Sequence, residues 1–295
     1  MNDRLQDLVR LLDLETLEQN LFRGQSRNLG GRSVFGGQVL GQSLIAAGRT
    51  VPHVPPHSLH GYFLRPGDME TPIVYEVDRV RDGQHFSTRR VQAIQFGRPI
   101  FTAIASFQPP EPGLEHQMPM PDVPPPEELR SQTDLRDEWL DKYGDKIPER
   151  LKIAIRRPLP IEFRQIDPWN PLAPDKRPAH QSIWLRAAHQ LPDDPTLHRC
   201  VLAYASDFNL LPTALLPHGK SFLDPKMAVA SIDHAIWFHR DAHADDWILY
   251  VMDSPTAQSA RGLSRGMMYD RSGRLVASVV QESLMREHRL PKTRD

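Results

Sequence analysis

A literal match to a hydrolase motif lies near the end of the chain. Residues 261–270, RGLSRGMMYD, contain Gly-Leu-Ser-Arg-Gly, which fits the G-x-S-x-G pattern that presents a nucleophilic serine. That motif requires a strand, a sharp turn and then a helix. Ser264 instead lies inside an alternating strand-like run that is followed by the turn signal DRSGR. We therefore interpret Ser264 as a structural strand residue, and we expect its neighbouring glycines to accommodate close packing or sheet curvature.

Histidines are the second group of residues that invites a chemical interpretation, since the chain has 13 of them. His239 and His243 have the i, i+4 spacing of a helical metal-binding pair, but they lie at a predicted strand end and no HExxH motif accompanies them. His60, in SLHGYF, is expected to be a packed or hydrogen-bonded strand residue. The glycines form neither a P-loop nor a dinucleotide-binding pattern. We therefore predict no metal ion and no cofactor.

Composition limits the class of protein and its partners. The 295 residues are 39% hydrophobic and 25% charged, which is typical of a globular protein with a substantial core. The net charge of -1 provides no basic field that would favour nucleic acid. The single cysteine, Cys200, fits a reducing compartment and has the apolar setting of an inert thiol. No run resembles a signal peptide or is long enough to span a bilayer, so we expect a cytoplasmic protein without membrane insertion.

A proline-rich stretch divides the chain. Residues 109–126 hold 8 of the 28 prolines, and proline removes backbone donors and restricts the residue before it. This stretch therefore predicts an extended linker, followed by a polar segment with a short helix around RDEWLDKYG. The resulting domain boundaries are 1–110 for the first domain, 111–157 for the linker and polar segment, and 158–295 for the second domain.

The two halves repeat one order of elements. The helical stretch GGQVLGQSLIAAGRTV should be buried nearly all round, and four strand-like runs follow it. In the second half, TLHRCVLAYASDFNLLPTALL predicts one helix, again followed by strand-like runs. A shift of 175 residues superposes Asp78 on Asp253 and Arg90 on Arg265. A buried helix followed by an antiparallel meander, twice over, predicts an α+β fold in which a sheet wraps a helix.

Several segments together resemble the acyl-CoA thioesterase II family. They follow one another in family order from about Leu17 to Arg286 and comprise VFGGQVLGQSL, YFLRPGD, RDGQHFSTRRVQAIQ, YASDFNLLP, ASIDHAIWFHR, SARGLSRGMMYD and LVASVVQE. The resemblance implies a double hotdog fold, with two antiparallel sheets each wrapped around a central helix in one chain. It also implies hydrolysis of medium- to long-chain acyl-CoA to free fatty acid and CoA.

The resemblance places the catalytic acid, hydroxyl and amide at Asp207, Ser231 and Gln281. The family often has threonine at the position of Ser231, so the hydroxyl is kept. Asp207 interrupts an apolar helical surface, where an unpaired carboxylate is costly; Ser231 and Gln281 by themselves could be ordinary strand residues. Asp207 can act as the general base for a water molecule that the other two orient. Direct attack by Ser231 would require a strong neighbouring base and stays an alternative.

One catalytic set per chain is expected, because the first half lacks the three groups. The shift of 175 residues, and an alignment of the helices by 169, give these counterparts: Ser106 for Gln281, Pro56 for Ser231 and Gln38 for Asp207. The first half should therefore contribute packing and part of the substrate groove.

Two other classes and two further features remain open. An enoyl-CoA hydratase with the same fold would use the acid and asparagine of SDFNLLP, but the sequence shows no histidine near them. A non-catalytic acyl-CoA-binding protein is the other alternative. Apolar sheet faces left uncovered should drive homo-oligomer formation. Five arginines are candidates for contacts to CoA phosphates: Arg65, Arg89, Arg90, Arg261 and Arg265.

Overall fold

The computed structural model describes residues 3–288. The helices are α1 Asp3–Leu12, α2 Gly36–Gly48, α3 Gln132–Tyr143, α4 Glu149–Arg156, α5 Pro195–Ser206 and α6 Leu210–Leu215. The strands of the first half are β1 Glu15–Glu18, β2 Leu21–Gly24, β3 Pro56–Phe63, β4 Ile73–Asp82, β5 Ser87–Gln95 and β6 Arg98–Phe107. Those of the second half are β7 Ile161–Gln165, β8 His180–Ala187, β9 Met227–Ser231, β10 Asp233–Phe238, β11 Ile248–Gln258, β12 Arg261–Asp270 and β13 Leu275–Glu287. None of the helices within residues 3–288 is long and apolar enough to cross a membrane.

All strands belong to one antiparallel sheet, in the order β1-β2-β4-β5-β6-β3-β10-β13-β12-β11-β8-β7, with β9 also paired to β13. Two sheets were expected, whereas the halves are joined where β3 pairs with β10, with His60 opposite Ala235. An unpaired edge strand would leave a row of backbone groups without partners, and this pairing removes one edge from each half. The sheet therefore runs continuously from one half into the other.

Helix α2 is buried as its sequence predicts. Ten of its 13 residues are buried, and it packs against β3, β4, β5 and β6 of its own half. It also packs against α5 of the second half, so the helices lie together under the joined sheet. Most of the buried apolar residues of both halves consequently form one core, beside a smaller cluster of Trp184, Trp247, Leu249 and Tyr269.

The predicted single helix of the second half is broken in two. Helix α5 ends at Ser206 and α6 begins at Leu210, because Asn209 adopts a left-handed conformation with φ of 68°. Helix α6 packs on β11, β12 and β13, whereas α5 packs mainly against α2. The sequence pattern indicated that Asp207 lies on a helical surface. In the structure Asp207 is instead the residue that caps the end of α5.

Strand register confirms the 175-residue repeat over the middle of each half. Asp78 lies opposite Arg90, and 175 residues later Asp253 lies opposite Arg265. Both pairs form ion pairs, at 3.1 Å in the first half and 2.6 Å in the second. The same strands thus carry the same cross-strand contact in both halves.

The repeat slips by one residue in the last strand of each half. Arg89 pairs with Ala105, whereas Ser264, its counterpart, pairs with Gln281. The chain between the paired positions is one residue longer in the second half. The counterpart of Gln281 is therefore Ala105 and not Ser106, although the first half still lacks the amide.

The proline-rich stretch has no helix or strand between residues 108 and 125 and lies against the second half. Gln117 donates to the Gly273 carbonyl at 2.7 Å and accepts from the Leu275 N–H at 3.0 Å. Farther along, the indole N–H of Trp184 donates to the Pro124 carbonyl at 2.9 Å. These bonds hold the stretch on the β12–β13 hairpin and on β8. The short helix expected in the polar segment is α3.

Candidate active site

Three separate elements bring Asp207, Ser231 and Gln281 together. Asp207 lies at the end of α5, Ser231 at the end of β9 and Gln281 inside β13. The Ser231 hydroxyl donates to Asp207 Oδ1 at 3.3 Å, and the Gln281 amide donates to Ser231 Oγ at 3.1 Å. The three side chains thus form one hydrogen-bonded chain that runs from amide to hydroxyl to carboxylate.

The first half of the chain holds the other oxygen of the carboxylate. The backbone N–H of Gly37 donates to Asp207 Oδ2 at 2.8 Å. Gly37 lies in the first turn of α2, where the unpaired N–H groups and the helix dipole favour a negative charge. A Cβ at Gly37 would lie 2.2 Å from the Tyr204 carbonyl oxygen, so only glycine permits this approach. The candidate site is therefore shared between the halves.

Ser231 is held at the site by the pairing of β9 with β13, where it lies opposite Ser283. The chain then crosses at Ile232, whose N–H donates to the Glu282 carbonyl at 2.9 Å, and continues as β10. Asp207 and Ser231 both remain partly exposed. Both residues therefore lie where the buried interior meets the surface.

Gln281 lies behind these two residues and is fully buried. Its Nε2 donates both to Ser231 Oγ and to Ser283 Oγ, each at 3.1 Å, so both amide hydrogens are used. Its Oε1 lies 2.7 Å from His234 Nδ1. Gln281 therefore contacts Ser231 and does not itself reach the exposed part of the site.

His234 is the residue of this cluster that the sequence analysis did not select. It is 1% exposed and lies on the inward face of β10, together with Ile236 and Phe238. The expectation that no histidine lies near the acid is therefore wrong. The sequence does contain an indication of this position. In the strand DHAIWF, inward and outward side chains alternate, and His234 falls on the same face as the apolar Ile236 and Phe238.

Burial and neighbouring groups set the ionisation of the site. Burial raises the pKa of Asp207 above the ordinary carboxyl value. A charged His234 would lower that pKa, and the hydrogen bonds from the Gly37 N–H and the Ser231 hydroxyl also limit the increase. Burial also lowers the pKa of His234, against the influence of Asp207 and of the bond to Gln281. A carboxylate of raised pKa beside a neutral imidazole is an arrangement suited to accepting a proton.

Ser264 takes no part in this cluster. It is fully buried in β12, and its hydroxyl donates to the Leu210 carbonyl at 2.8 Å. A Cβ at neighbouring Gly266 would lie 2.2 Å from the ring of Tyr250. The interpretation of Ser264 as a strand residue beside closely packed glycines is confirmed.

The five candidate arginines differ in their surroundings. Arg90, Arg261 and Arg265 form ion pairs, with Asp78, Glu282 and Asp253 respectively. Arg89 is 1% exposed, donates to the Thr50 hydroxyl at 2.7 Å and also forms an ion pair, with Asp82. Arg65 is exposed and donates to the Pro99 carbonyl at 2.7 Å. With Arg98 and Phe96, Arg65 also lines a cavity of about 350 Å³.

One group of side chains has the spacing of a metal site. Ligand atoms of Asp193, His198 and His243 lie within 4.8 Å of one another. However, His198 Nδ1 accepts the Ala244 N–H at 3.0 Å, which places the ring proton on Nε2. A metal-bound histidine normally donates through its second nitrogen, so this hydrogen bond disfavours ligation. His239 bonds Ser278 at 2.8 Å instead.

Known structures identify the fold. The chain superimposes on a protein of unknown function with a hotdog fold from Alicyclobacillus acidocaldarius, with a TM-score of 0.74. That likeness covers 97% of this chain and 99% of the other at 19% identity, so it shows the fold alone. The structure is thus an α+β hotdog protein, with a large antiparallel sheet and few helices.

Sequence comparisons then define the family. A model described as acyl-CoA thioesterase matches residues 161–284, and one described as acyl-CoA thioesterase N-terminal domain matches residues 25–108. The chain is 42% identical to acyl-CoA thioesterase 2 of Haemophilus influenzae, over 97% of this chain and 99% of that protein. It is 40% identical to the crystal structure of an acyl-CoA thioesterase II from Mycobacterium marinum, with a TM-score of 0.75 and coverage of 94% and 97%. The chain belongs to the acyl-CoA thioesterase family, which confirms the resemblance found in the sequence.

Proposed function

We propose that this chain hydrolyses medium- to long-chain acyl-CoA to free fatty acid and CoA, using a water molecule that Asp207 activates. The observation that supports this proposal is the way the Asp207 carboxylate is held and the direction in which its pKa is shifted. Oδ2 is fixed by the Gly37 N–H at 2.8 Å, while Oδ1 accepts the longer bond from the Ser231 hydroxyl at 3.3 Å. A fixed, partly exposed carboxylate of raised pKa is suited to act as a general base.

The reaction follows from that geometry. A water molecule beside Asp207 Oδ1 and Ser231 Oγ attacks the acyl carbon as Asp207 takes one of its protons. The carbonyl oxygen becomes negatively charged in a tetrahedral intermediate. When this collapses, the carbon–sulfur bond breaks and CoA leaves with the sulfur electron pair, which the proton on Asp207 neutralises. The carboxylate is thereby restored for the next cycle.

Ser231 orients the water, and Gln281 acts through Ser231. The buried amide donates to Ser231 Oγ, so one lone pair of the hydroxyl is engaged and its hydrogen is directed towards Asp207. A hydrogen bond donated to Oγ makes the hydroxyl a poorer nucleophile, which favours the water route, whereas the contact to Asp207 supplies the neighbouring base that direct attack by Ser231 requires. A burst of CoA release with acyl modification of Ser231 would instead indicate an acyl-enzyme.

The test of the activity is incubation with palmitoyl-CoA and a thiol reagent. Hydrolysis releases free CoA, hydration gives a product with an intact thioester, and simple binding gives neither. The hydratase alternative gains no support from His234, because both of its ring nitrogens are within 2.8 Å of protein groups, Ser206 Oγ and Gln281 Oε1. Absence of CoA release by the folded protein would overturn the proposed activity.

We further propose a double hotdog architecture with the domains 1–110 and 158–295, joined by the linker and polar segment 111–157. Support comes from the repeated register of Asp78–Arg90 and Asp253–Arg265, and from the pairing of β3 with β10. The two family models also match the halves separately, at 25–108 and 161–284. Limited proteolysis should cut first within 111–157 and leave the halves associated.

We also propose that two chains associate through an outer face of the joined sheet. Tyr62 and Ile104 lie on the same face of adjacent strands and are 56% and 53% exposed. Exposed apolar side chains near the middle of a sheet favour a homo-oligomer. Light scattering should give a mass above that of one chain, and Tyr62→Lys with Ile104→Lys should reduce it to that of a monomer.

A cytoplasmic location is also proposed, because the single cysteine is a buried, inert thiol that fits a reducing compartment.

The cavity beside Arg65 is the proposed contact for the phosphates of CoA. Arg65 and Arg98 form no ion pair among residues 3–288, and Phe96 is 75% exposed. Guanidinium groups suit phosphate, and an exposed aromatic ring suits a base. Arg65→Ala should raise the KM for acyl-CoA without a matching loss of kcat. An unchanged KM would remove this cavity from the substrate site.

A further inference from the structure

His234 is a buried titratable residue that the proposed reaction does not use. It lies between two polar groups on opposite sides of its ring. Nδ1 is 2.7 Å from Gln281 Oε1, and Nε2 is 2.8 Å from Ser206 Oγ. Its inward-facing neighbours on β10 are apolar, so both hydrogen-bond partners come from other elements, Gln281 from β13 and Ser206 from α5.

The contact to Gln281 determines where the ring proton lies. A carbonyl oxygen such as Gln281 Oε1 can only accept, so His234 Nδ1 must donate. In the neutral ring Nε2 then carries a lone pair and accepts the one hydrogen of the Ser206 hydroxyl, in place of its other acceptor, the Ala203 carbonyl at 2.9 Å. The neutral state agrees with the effect of burial, which lowers the pKa of His234.

This tautomer and the observed orientation of the Gln281 amide hold each other in place. With Oε1 held by His234, Nε2 points to Ser231 and Ser283, each 3.1 Å away. Ser231 Oγ then accepts from Gln281, and its own hydrogen is free to donate to Asp207 Oδ1 at 3.3 Å. The direction of each hydrogen bond is thus set by the one before it.

The opposite orientation would disable the hydroxyl. If the amide were reversed, Oε1 would face Ser231 and compete with Asp207 for the hydroxyl hydrogen. The carboxylate would lose a charge-assisted hydrogen bond, and the hydroxyl would no longer present the same lone pair and hydrogen to a water molecule. Reversal also requires the ring proton to move to His234 Nε2, so ring and amide change together.

We propose that His234 is a positioning residue of this site, which fixes the Gln281 amide and thereby the direction of the Ser231 hydroxyl. The inference rests on the proposed function for Asp207 and Ser231. It assigns to β10 a role in turnover although no atom of His234 reaches the exposed part of the site. Position-specific replacement of each ring nitrogen tests it.

Asparagine and glutamine separate the two ring nitrogens. In His234→Asn the side-chain amide nitrogen can occupy the position of Nδ1 and still donate to Gln281. In His234→Gln the amide reaches the position of Nε2 and bonds Ser206, while the donor to Gln281 is lost. His234→Leu fills much of the space and supplies neither bond. A purely structural role favours the longer glutamine, whereas the positioning role favours asparagine.

The measurements are kcat and KM for palmitoyl-CoA, with melting temperatures to confirm folding. We expect kcat to fall about 10- to 100-fold in His234→Leu and His234→Gln, the scale of a misplaced catalytic group, and clearly less in His234→Asn. KM should change little in all three. A matched control is His198→Gln, another buried histidine, which is 2% exposed and bonded to the Ala244 N–H; its melting temperature should fall while kcat stays near that of the parent.

The possible outcomes distinguish this inference from the proposed function. Full kcat in folded His234→Leu, or higher kcat in His234→Gln than in His234→Asn, would overturn the role of His234. Asp207→Asn is measured beside them. If Asp207→Asn is inactive while His234→Leu is fully active, the base assignment stands and the positioning role fails. If Asp207→Asn is fully active, the proposed base itself is wrong.

Discussion

The two halves of the chain share a scaffold but differ at the positions where chemistry is possible. The cross-strand pairs Asp78–Arg90 and Asp253–Arg265 occupy equivalent places in the two halves of the sheet. At the positions of Ser231, His234 and Gln281, however, the first half has Pro56, Leu59 and Ala105. Leu59 and Ala105 are fully buried. The strand geometry therefore tolerates either an apolar interior or a hydrogen-bonded network, provided that each buried polar group has a partner.

The first half nevertheless supplies one contact that the second half lacks. Asp207 is anchored by the Gly37 N–H at the start of α2, and α2 packs against α5. A carboxylate withdrawn from water requires such donors. The halves are thus specialised. The second half provides the side chains of the site, and the first half provides the helix terminus that holds the acid.

The largest expected effect comes from the acid itself. Asp207→Asn keeps the side-chain shape and can still accept from the Gly37 N–H, but it removes the base. CoA release should fall by about 10²–10⁴-fold, the usual contribution of positioned acid–base catalysis. Steady-state CoA release measures the loss, and circular dichroism confirms the fold. A fully active, folded variant would exclude Asp207 as the base.

The contribution of the first half is tested at Gly37. Gly37→Ala places a methyl group 2.2 Å from the Tyr204 carbonyl oxygen, so α2 must shift away from α5 and from Asp207. Because a displacement of about 1 Å can cost 10²-fold in rate, activity should fall on the order of 100-fold. Gly113→Ala is the matched control, since a Cβ there meets nothing within 4 Å. Equal activity of both variants would show that the first half does not support the site.

The pH dependence of turnover reports the environment of Asp207. The base works only when ionised, and burial raises its pKa, so kcat should fall on acidification at a higher pH than an ordinary aspartate would give. The effect on stability has the same origin. A folded-state pKa above the unfolded value stabilises the folded protein at low pH, and this contribution is lost as the pH rises from the unfolded value through the folded one.

Two measurements check that the pKa of Asp207 is raised in the folded protein. The pH profile of kcat gives the acidic limb, and thermal unfolding of Asp207→Asn beside the parent gives the stability. The variant should be no less stable than the parent at neutral pH, because the parent must keep a buried carboxylate ionised there. An acidic limb at the ordinary aspartate value would show that Asp207 is not desolvated in the working enzyme.

Much of the fold could be predicted from the sequence, because its signals are local. The all-round apolar pattern of α2 and the proline-rich stretch before residue 126 both correspond to what is observed. The break between α5 and α6 was missed, because the left-handed conformation of Asn209 depends on packing and not on periodicity. The joining of the halves through β3 and β10 is likewise a long-range pairing that alternation alone does not specify.

The site was predicted less completely, and for a different reason. Asp207, Ser231 and Gln281 were selected by resemblance to a family, since their spacing along the chain carries no pattern of its own. His234 lay only three residues from Ser231, but which inward side chain meets Gln281 depends on the register of β10 against β13. Register is a property of the pairing, so it became visible only in the folded chain.

A smaller effect is expected at the serine of the motif-like pentapeptide. Ser264→Ala removes a buried hydrogen bond to the Leu210 carbonyl, which should cost about 1 kcal/mol of stability. Turnover should stay within a few-fold of the parent, because Ser264 pairs with Gln281 through the backbone ladder while its hydroxyl bonds the Leu210 carbonyl. Urea unfolding and CoA release give the two values. A folded Ser264→Ala protein without activity would reverse the assignment of the site.

The smallest effect should come from the cross-strand ion pair that each half has at the same position. Arg90–Asp78 and Arg265–Asp253 are exposed, and their side chains are 46–57% accessible to solvent. Exposed pairs contribute roughly 0–1 kcal/mol, so Asp78→Asn and Asp253→Asn should each lower stability by about 1 kcal/mol or less, and the difference should vanish in high salt. Neither variant should change kcat, since both pairs lie outside the hydrogen-bonded cluster. Urea unfolding of both variants at low and high salt provides the comparison. If Asp253→Asn alone abolished turnover, the pair in the second half would have a role in the site that its counterpart lacks, and the division between shared scaffold and specialised interior would have to be redrawn.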